Sequence, residues 1–383
     1  MKNIYLLGAS GSIGKQTLDV ISRYQDKFVL KSFSVNTNVC FAKEIIKKFK
    51  PEMVCVGNYE DMVKLQFEFP EVLFSYGDQG LIDVATYSSE DGYLVNAVTG
   101  SVGLLPTIEA IKKKRDILLA NKETLVIGGE LIMPLVKKYN VNLLPIDSEH
   151  SAILQCLLAG KKDEVNRIII TASGGAFRNK QREELKYVSK EEALNHPNWK
   201  MGRKITIDSA SMINKAFEVI EAHYLFDLPI NKIETIIHKQ SIIHGMVEYV
   251  DGVLIAQMAI PDMRIPIEYA LLYPNRSENE YNKVDFKQNL ELSFEEIDLN
   301  RFPLLKLGYE VIEKKGILPT IFNAANEAAV KLFLCDKIKF LDIEEIIISN
   351  VKGAKNLSSP TITDIIRVDK EIKEKILRKY EDN

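Results

Sequence analysis

The sequence lacks several features that would mark a membrane, secreted or nucleic-acid-binding protein. No apolar run approaches the roughly 18 residues that a membrane-spanning helix needs. The net charge is −3, so there is no basic excess to bind nucleic acid. The first residues, MKNIYLLGASGSIG, hold only a short apolar stretch before the glycines, unlike a signal peptide. We therefore expect a cytoplasmic protein that acts on neither membranes nor nucleic acids.

Cysteine is also scarce. The four cysteines, Cys40, Cys55, Cys156 and Cys335, show no CxxC spacing and no neighbouring histidines. This pattern predicts free, mostly buried thiols and argues against disulfides and structural zinc. A chain of 383 residues, of which 46 % are apolar, is long enough for more than one domain.

What the sequence does have is a regular alternation of apolar strands and amphipathic helices up to about residue 147. Such alternation predicts βαβ units and a parallel sheet. Strands with a D-G turn follow near 232–258, which indicates an α+β region with a partly antiparallel sheet. Strands are also predicted earlier, at 167–175 and 203–212, in the part of the chain that follows residue 147. Residues 273–300 are polar and weakly periodic, as in a linker, and helices follow from residue 301.

A glycine-rich loop, Gly8-Ala9-Ser10-Gly11-Ser12-Ile13-Gly14, links the first predicted strand to a helix. Glycines allow the tight turn and let backbone amides approach a phosphate at the helix N-terminus. The loop therefore predicts a dinucleotide site, although many strand-to-helix turns are glycine-rich for geometry alone.

The end of the second predicted strand bears on the choice of dinucleotide. NAD sites usually place an acidic residue there to bind the ribose hydroxyls, and this chain has Asn36, Thr37 and Asn38 instead. The absence of an acid favours NADP. No lysine or arginine stands at the same tip to attract a 2′-phosphate, so this preference rests on an absence.

Acidic residues follow another apolar run, in LLPIDSEH (143–150). If this segment is extended, Asp147 and Glu149 point to the same side and need a proton or a cation between them. Oxygen ligands without thiolates suit Mg²⁺ or Mn²⁺, and Glu218 on a predicted helix is a candidate third ligand. A solvated loop with capping acids is an equally compatible interpretation.

Two further clusters have the composition of a phosphate site. Residues 173–175 (Ser-Gly-Gly) end an apolar strand, and Ser209, Asn214 and Lys215 lie in a predicted strand-to-helix turn. Helix N-capping by Ser209 or Ser211 is the simpler alternative, but it does not explain Lys215. Nearby, HPNWKMG (196–202) holds the only tryptophan in a loop that could close over a substrate, unless the indole is simply part of the core.

In this order, the motifs resemble the 1-deoxy-D-xylulose 5-phosphate reductoisomerase family over essentially the whole chain. The matching segments are GASGSIG, LLANKE (118–123), IDSEH (146–150), ASGGAFR (172–178), HPNWKMGRKITIDSASMINKAFEVIEA (196–222), IIHKQSIIHGMVEY (236–249), PDMRIPI (261–267) and NAANEAAV (323–330). The family often has G-K-N where this chain has Asn36-Thr37-Asn38, so the lysine expected near the 2′-phosphate is missing.

The resemblance implies the role of each candidate residue. The metal ligands would be Asp147, Glu149 and Glu218. Catalytic groups would be Lys122, Glu149, His150 and His244. The substrate would contact Ser148, Glu149, Ser173, His196, Trp199, Ser209, Asn214, Lys215, Glu218 and Lys122. The dinucleotide would contact Gly8, Ser10, Gly11, Ser12, Ile13, Gly14, Asn36, Asn38, Asn121, Glu123, Gly202 and Met263.

It also implies the fold and the reaction. The fold class would be α/β, with an NADP-binding Rossmann-like parallel sheet (1–147), a central α+β catalytic domain (148–272), a linker (273–300) and a C-terminal helical bundle (301–383). The protein would use NADPH and Mg²⁺ or Mn²⁺ to rearrange and reduce 1-deoxy-D-xylulose 5-phosphate, a small phosphosugar, in non-mevalonate isoprenoid biosynthesis, as a homodimer. The alternatives are another two-domain NAD(P)-dependent dehydrogenase and a non-catalytic dinucleotide-sensing protein.

Overall fold

The computed structural model describes residues 1–287 and 290–380, so parts of the predicted linker (288–289) and C-terminal domain (381–383) lie outside the described residues. The chain forms two compact units. The first comprises Met1–Thr124, Glu130–Ser148 and Met263–Asn279, and the second comprises Leu125–Gly129, Glu149–Asp262 and the chain from Glu280 onward. The predicted domain boundaries at 147, 272 and 300 stay predictions.

The first unit contains a seven-stranded parallel sheet in the order β4-β3-β2-β1-β5-β6-β7. The strands are β1 (Lys2–Leu7), β2 (Phe28–Ser34), β3 (Met53–Val56), β4 (Leu73–Tyr76), β5 (Gly92–Asn96), β6 (Asp116–Leu119) and β7 (Leu143–Pro145). The predicted parallel sheet is thus present. The order reverses between β1 and β5, which creates the crevice where open α/β sheets bind ligands.

Helices connect these strands. They are α1 (Ser12–Arg23), α2 (Val39–Phe49), α3 (Tyr59–Glu68), α4 (Gly77–Thr86), α5 (Leu104–Lys112), α6 (Glu123–Tyr139) and, after the chain returns to this unit, α11 (Arg264–Leu272). Strand β4 was not predicted, because this edge strand has only four residues and is partly exposed.

The second unit contains a four-stranded mixed sheet in the order β11-β10-β8-β9. Its strands are β8 (Val165–Ala172), β9 (Ile233–Ile237), β10 (Ile243–Tyr249) and β11 (Leu254–Met258). Strand β10 runs antiparallel to both neighbours, and the predicted D-G turn at Asp251-Gly252 leads into β11. The predicted partly antiparallel sheet is therefore confirmed.

The helices of this unit flank its sheet and fill the C-terminal region. They are α7 (Ser148–Leu157), α8 (Lys190–Leu194), α9 (Arg203–Ala210), α10 (Ile213–Phe226), α12 (Pro303–Lys314), α13 (Leu318–Leu334), α14 (Phe340–Lys352) and α15 (Ile362–Lys379). Helix α13 is buried along most of its length and packs against α14 and α15. This packing agrees with the predicted C-terminal helical bundle. Among the described residues, no helix is long and apolar enough to cross a membrane.

Two local predictions are wrong. Residues 203–210 form a helix instead of a strand, because i,i+4 contacts override the alternation of RKITID: Thr206 Oγ1 donates to Gly202 O over 2.8 Å, and Lys204 pairs with Asp208 at 2.8 Å. Likewise, Ser148 begins α7, so Asp147 and Glu149 are not alternate residues of an extended segment. Glu149 lies in the first turn of a helix, where an acidic side chain is favoured.

The four cysteines are free, as predicted, but only Cys55 and Cys156 are buried, while Cys40 and Cys335 are exposed.

The glycine loop leads to the first testable prediction. A Cβ atom on Gly14 would lie 2.2 Å from Gly8 O, a backbone atom held by the turn. We expect Gly14→Ala to lower the free energy of unfolding by about 1–3 kcal/mol, as overpacking does, in urea denaturation. The control is Gly202→Ser, because a Cβ atom there meets nothing within 4 Å and serine suits an N-cap. Equal stability of the Gly14 variant and the wild type would contradict the close approach.

Candidate active site

In the first unit, the glycine loop borders a pocket of about 360 Å³. Gly8 has a φ of +80° and lies so close to the loop after β5 that a Cβ atom would be 2.5 Å from Ala97 O. The pocket is lined by this loop, by the residues that follow β2 and β3, and by residues 97–99. It lies beside the N-terminus of α1, where backbone amides face an anionic ligand.

Only some of the predicted dinucleotide residues line this pocket. Gly8, Ser10, Gly11 and Asn36 line it directly. The others lie in neighbouring elements: Ser12, Ile13 and Gly14 begin α1, Asn38 precedes α2, Asn121 and Glu123 flank the start of α6, and Met263 precedes α11, which packs against α1. Gly202 belongs to the second unit, where it precedes α9.

Asn121 holds one wall of the pocket in place. It is buried, and its Nδ2 donates to the carbonyls of Val98 and Gly100 over 3.0 Å each. The same amide donates to Glu123 Oε2 over 3.1 Å. Because the segment that follows β5 lines the pocket, Asn121 and Glu123 shape the site instead of lining it.

Lys122 and Asp147 form a nearly buried ion pair in the first unit. The distance between Lys122 Nζ and Asp147 Oδ2 is 2.8 Å, and the two side chains are 6 % and 11 % exposed. The structure thus joins a predicted catalytic residue to a predicted metal ligand. The pair places the Lys122 side-chain nitrogen directly beside the carboxylate.

In the second unit, Lys215 joins two predicted metal ligands. Its Nζ lies 2.9 Å from Glu149 Oε1, donates to Thr171 O over 2.5 Å and also donates to Glu218 Oε2. Burial disfavours the charge, but the two carboxylates outweigh it and raise the pKa of Lys215. The two acids are thus held close together around one cation.

Asn214 also holds Glu218, with 2.5 Å between its Nδ2 and Glu218 Oε1. We expected Asn214 and Lys215 to contact the substrate, and in the structure their polar ends are directed to carboxylates. The prediction that they lie in a strand-to-helix turn is wrong, since both belong to the first turn of α10, which follows α9.

A second polar cluster lies at the end of β8. Ser173 Oγ is 2.9 Å from His196 Nε2 and accepts from the backbone N–H of Gly175 over 3.2 Å. Gly175 has a φ of +67°, and its packing against the carbonyl of Ser209 leaves no room for a Cβ atom. Three predicted substrate contacts, Ser173, His196 and Ser209, therefore lie around one turn that presents hydroxyl and N–H groups.

The hydrogen bonds of His196 fix its tautomer. Its Nδ1 accepts from the backbone N–H groups of Asn198 and Trp199, over 3.2 and 2.9 Å, and so carries no proton. The ring proton is then on Nε2, which donates to Ser173. Burial and the charge of Arg178 lower the pKa of His196 to about 4. His196 thus offers a neutral N–H donor and caps the backbone of the tryptophan loop.

Trp199 lies against His244, with 5.9 Å between the ring centroids. His244 is buried, and its Nε2 lies 3.1 Å from the carbonyl of Ala259. Because a carbonyl only accepts, this nitrogen carries a proton. Burial lowers the pKa of His244. The predicted lid residue and a predicted active-site histidine are therefore neighbours.

His150 has a different environment from the one we expected of a catalytic group. It is completely buried, its Nε2 lies 2.9 Å from the carbonyl of Glu218, and its Nδ1 lies 3.5 Å from Glu221 Oε2. Glu221, which is also completely buried, was not among the predicted site residues. Its position three residues after Glu218 on a helix was the available signal, since such residues share a face.

The environment of His196 leads to a pH-dependent prediction. We expect its imidazole to stay neutral in the folded protein down to about pH 4, whereas an unfolded histidine titrates near 6.5. The unfolded state then binds more protons between these values, so this residue makes stability rise with pH up to about 6.5 and contributes no slope above it.

NMR of ¹³C-labelled histidine side chains would follow the imidazole, and urea unfolding at several pH values would follow stability. His196→Asn should remove this part of the pH dependence. A folded-state titration of His196 near pH 6.5 would contradict the prediction.

Comparison with known proteins agrees with the family suggested by the motifs. A family model described as 1-deoxy-D-xylulose 5-phosphate reductoisomerase matches residues 4–129, and two models for C-terminal domains of the same enzyme match 143–226 and 258–375. Relatives of that name from Thermoanaerobacter pseudethanolicus and Macrococcus caseolyticus are each 50 % identical, over 99 % and 100 % of this chain and 100 % of their own length.

Solved structures agree with the fold. A DOX-P reductoisomerase in complex with NADPH, fosmidomycin and magnesium has a TM-score of 0.94 at 34 % identity, over 100 % of this chain and 98 % of that one. The enzyme from Zymomonas mobilis in complex with NADPH has a TM-score of 0.90 at 38 % identity, over 99 % of each chain. The predicted α/β fold class and the predicted enzyme class are confirmed, and the chain belongs to the 1-deoxy-D-xylulose 5-phosphate reductoisomerase family.

Proposed function

We propose that this protein converts 1-deoxy-D-xylulose 5-phosphate to 2-C-methyl-D-erythritol 4-phosphate with NADPH and a divalent metal ion. The observation that carries the proposal is the pair of carboxylates, Glu149 and Glu218, held around one buried ammonium in the same unit as a phosphate-type turn. A dehydrogenase of another kind or a dinucleotide sensor has no use for this pair. Use in isoprenoid biosynthesis, a homodimer and a cytoplasmic location stay predictions.

The pocket beside the glycine loop fits a dinucleotide. Glycine at positions 8 and 14 allows the chain to turn tightly, and the N-terminus of α1 favours phosphate groups. Asn36 lines the pocket and carries no charge that would repel a 2′-phosphate. When bound, NADPH supplies the hydride of the reduction. The protein's part is to position the cofactor with these residues and with the wall that Asn121 holds.

A divalent cation fits the oxygen donors of Asp147, Glu149 and Glu218. Glu149 and Glu218 already lie around a positive charge, that of Lys215. Asp147 precedes Glu149 by two residues in the chain. Oxygen-only ligands of this kind suit Mg²⁺ or Mn²⁺. When bound, the ion supplies Lewis acidity toward the ketone and hydroxyl oxygens of the substrate.

The remaining residues would bind the substrate and exclude water. Ser173, Ser209 and the neutral N–H of His196 present donors for the phosphate, and Ser148, Asn214 and Lys215 would contact hydroxyl groups. Trp199 on the loop capped by His196 would cover the site, beside His244. Lys122 would hold positive charge next to Asp147. A clamp on the phosphate keeps the reacting carbon atoms aligned while the skeleton rearranges.

The reaction can be followed by the loss of NADPH absorbance with 1-deoxy-D-xylulose 5-phosphate and Mg²⁺ or Mn²⁺. We expect oxidation that stops when a chelator is added. In Glu218→Gln the side chain keeps its shape and loses its charge, so turnover should fall by more than about 100-fold, while NADPH affinity should not change.

Glu234→Gln is the matched control, because Glu234 is a half-exposed acid of the same unit that pairs with Arg167. It should keep wild-type turnover. Wild-type turnover of Glu218→Gln at saturating Mg²⁺ would refute the metal assignment.

Because the lysine expected at the end of β2 is missing, another positive charge would have to favour NADPH over NADH. Lys15 is the candidate residue. The ammonium of Lys15 on α1 lies 5.1 Å from the ring centroid of Phe41, whose N–H donates to Asn38 Oδ1 at the start of α2. Lys15 thus places a positive charge beside the first turn of α2, which follows the Asn36-Thr37-Asn38 segment. We expect Lys15→Met to weaken binding of 2′,5′-ADP about two- to fivefold, as for an exposed charge pair, and to leave 5′-AMP binding unchanged in calorimetry.

The control is Lys48→Met, since Lys48 makes the same contact with Phe49 at the other end of α2. Thr37→Lys should strengthen 2′,5′-ADP binding. Equal losses of 2′,5′-ADP and 5′-AMP affinity in Lys15→Met would show that Lys15 does not recognise the 2′-phosphate.

A further inference from the structure

Behind Glu218 lies a buried pair of polar side chains that the proposed chemistry does not use directly. His150 and Glu221 have no exposed surface, and their closest polar atoms, Nδ1 and Oε2, are 3.5 Å apart. The other ring nitrogen of His150 is 2.9 Å from the backbone carbonyl of Glu218. Glu221, His150 and Glu218 therefore form a continuous series of polar contacts that ends at a predicted metal ligand.

The chemistry of the partners fixes the direction of these contacts. A backbone carbonyl only accepts hydrogen bonds, so Nε2 of His150 carries a proton and donates it to Glu218. Nδ1 then faces the carboxyl group of Glu221. The ring is also held by Phe226, which stacks on it with 6.2 Å between centroids and 22° between planes. Its orientation is thus determined from three sides.

A buried carboxyl group is costly, and an apolar side chain of similar size would usually be no less stable at such a site. Glu221 lies on α10 with buried apolar neighbours in sequence, Val219, Ile220 and Ala222. Its retention there needs a use beyond packing. Its Oε2 faces Nδ1 of the imidazole that holds the Glu218 backbone.

We propose that Glu221 is a positioning residue for the metal ligand Glu218, and that it acts through His150. It holds the imidazole so that Nε2–H fixes the Glu218 carbonyl, and this fixes the direction in which the Glu218 carboxylate leaves the helix. His150 is then a positioning residue as well, and not a group that touches the substrate. The inference rests on the proposed function, because it concerns the same metal site.

The test measures Mn²⁺ binding to the full-length, chelator-treated protein by electron paramagnetic resonance, which requires no turnover. Glu221→Met and Glu221→Gln both remove the acid at nearly constant volume. Only glutamine keeps a polar group at this position. Its amide N–H can donate to Nδ1 of His150, so that Nε2–H of His150 still donates to the Glu218 carbonyl. We expect Glu221→Met to weaken Mn²⁺ binding about 10- to 100-fold, as losses of outer-shell partners do, and Glu221→Gln to stay within about threefold of wild type.

NADPH affinity, measured by fluorescence, should be unchanged in both variants, because the pocket beside the glycine loop lies in the first unit. Equal Mn²⁺ affinities of Glu221→Met and wild type would overturn the proposal. Equal weakening in Glu221→Met and Glu221→Gln would also overturn it, since the effect would then come from charge and not from the contact with His150.

Two further measurements keep the result decisive. If Glu221→Met does not fold, His150→Phe replaces it: this variant keeps the stacking on Phe226 and removes both polar contacts, so unchanged Mn²⁺ affinity would refute the inference. If wild type and Glu218→Gln bind Mn²⁺ equally weakly, the proposed metal site itself fails, whatever the Glu221 variants show.

Discussion

The second unit depends on one ion cluster, in which the buried ammonium of Lys215 lies between the buried carboxylate of Glu218 and the partly exposed carboxylate of Glu149. Glu149 lies in the first turn of α7, and both other residues lie on α10, so the three charges connect two helices. The carbonyl of Thr171 ties the ammonium to the C-terminal end of β8. Removing the Lys215 ammonium would leave the two carboxylates facing each other without compensation, which is strongly destabilising, whereas removing one carboxylate would leave a neutral ion pair.

The same strand end carries the second polar cluster. β8 ends at Ala172, and Ser173 follows immediately with its hydroxyl on His196. One imidazole therefore contacts both the turn after β8 and, through Nδ1, the backbone of the tryptophan loop. A ligand that binds Ser173 also meets His196, so occupation of this turn and the position of the loop are physically coupled without any change in charge.

Much of this arrangement could be predicted from the sequence, and the failures have physical causes. The glycine loop and the parallel strands are encoded in short, regular patterns. In contrast, RKITID alternates like a strand but forms α9, because the Lys204–Asp208 pair and the Thr206 hydroxyl favour a helix. Acidic residues are favoured where helices begin. The acids of Asp147-Ser148-Glu149 therefore indicated the start of α7 better than the alternation of side chains indicated a strand.

The sequence predicted which residues belong to the site better than it predicted how their side chains contact one another. The position of Lys215 between two acids, and that of Glu221 behind His150, depend on how α7 and α10 pack, which no local pattern encodes. Individual roles therefore needed three-dimensional distances, whereas residue types and spacing were enough for the chemical class.

The first unit is discontinuous in the chain, and this has a consequence for synthesis. Residues 263–279 return to it after all four strands of the second sheet, and α11 packs on α1 while Arg264 pairs with Asp19 at 3.5 Å. On a ribosome, which releases the N-terminus first, the first unit cannot be completed until residue 279 has emerged. The face of α1 that α11 covers therefore stays exposed until well past the middle of the 383 codons. Nascent chains with such exposed surfaces are prone to associate.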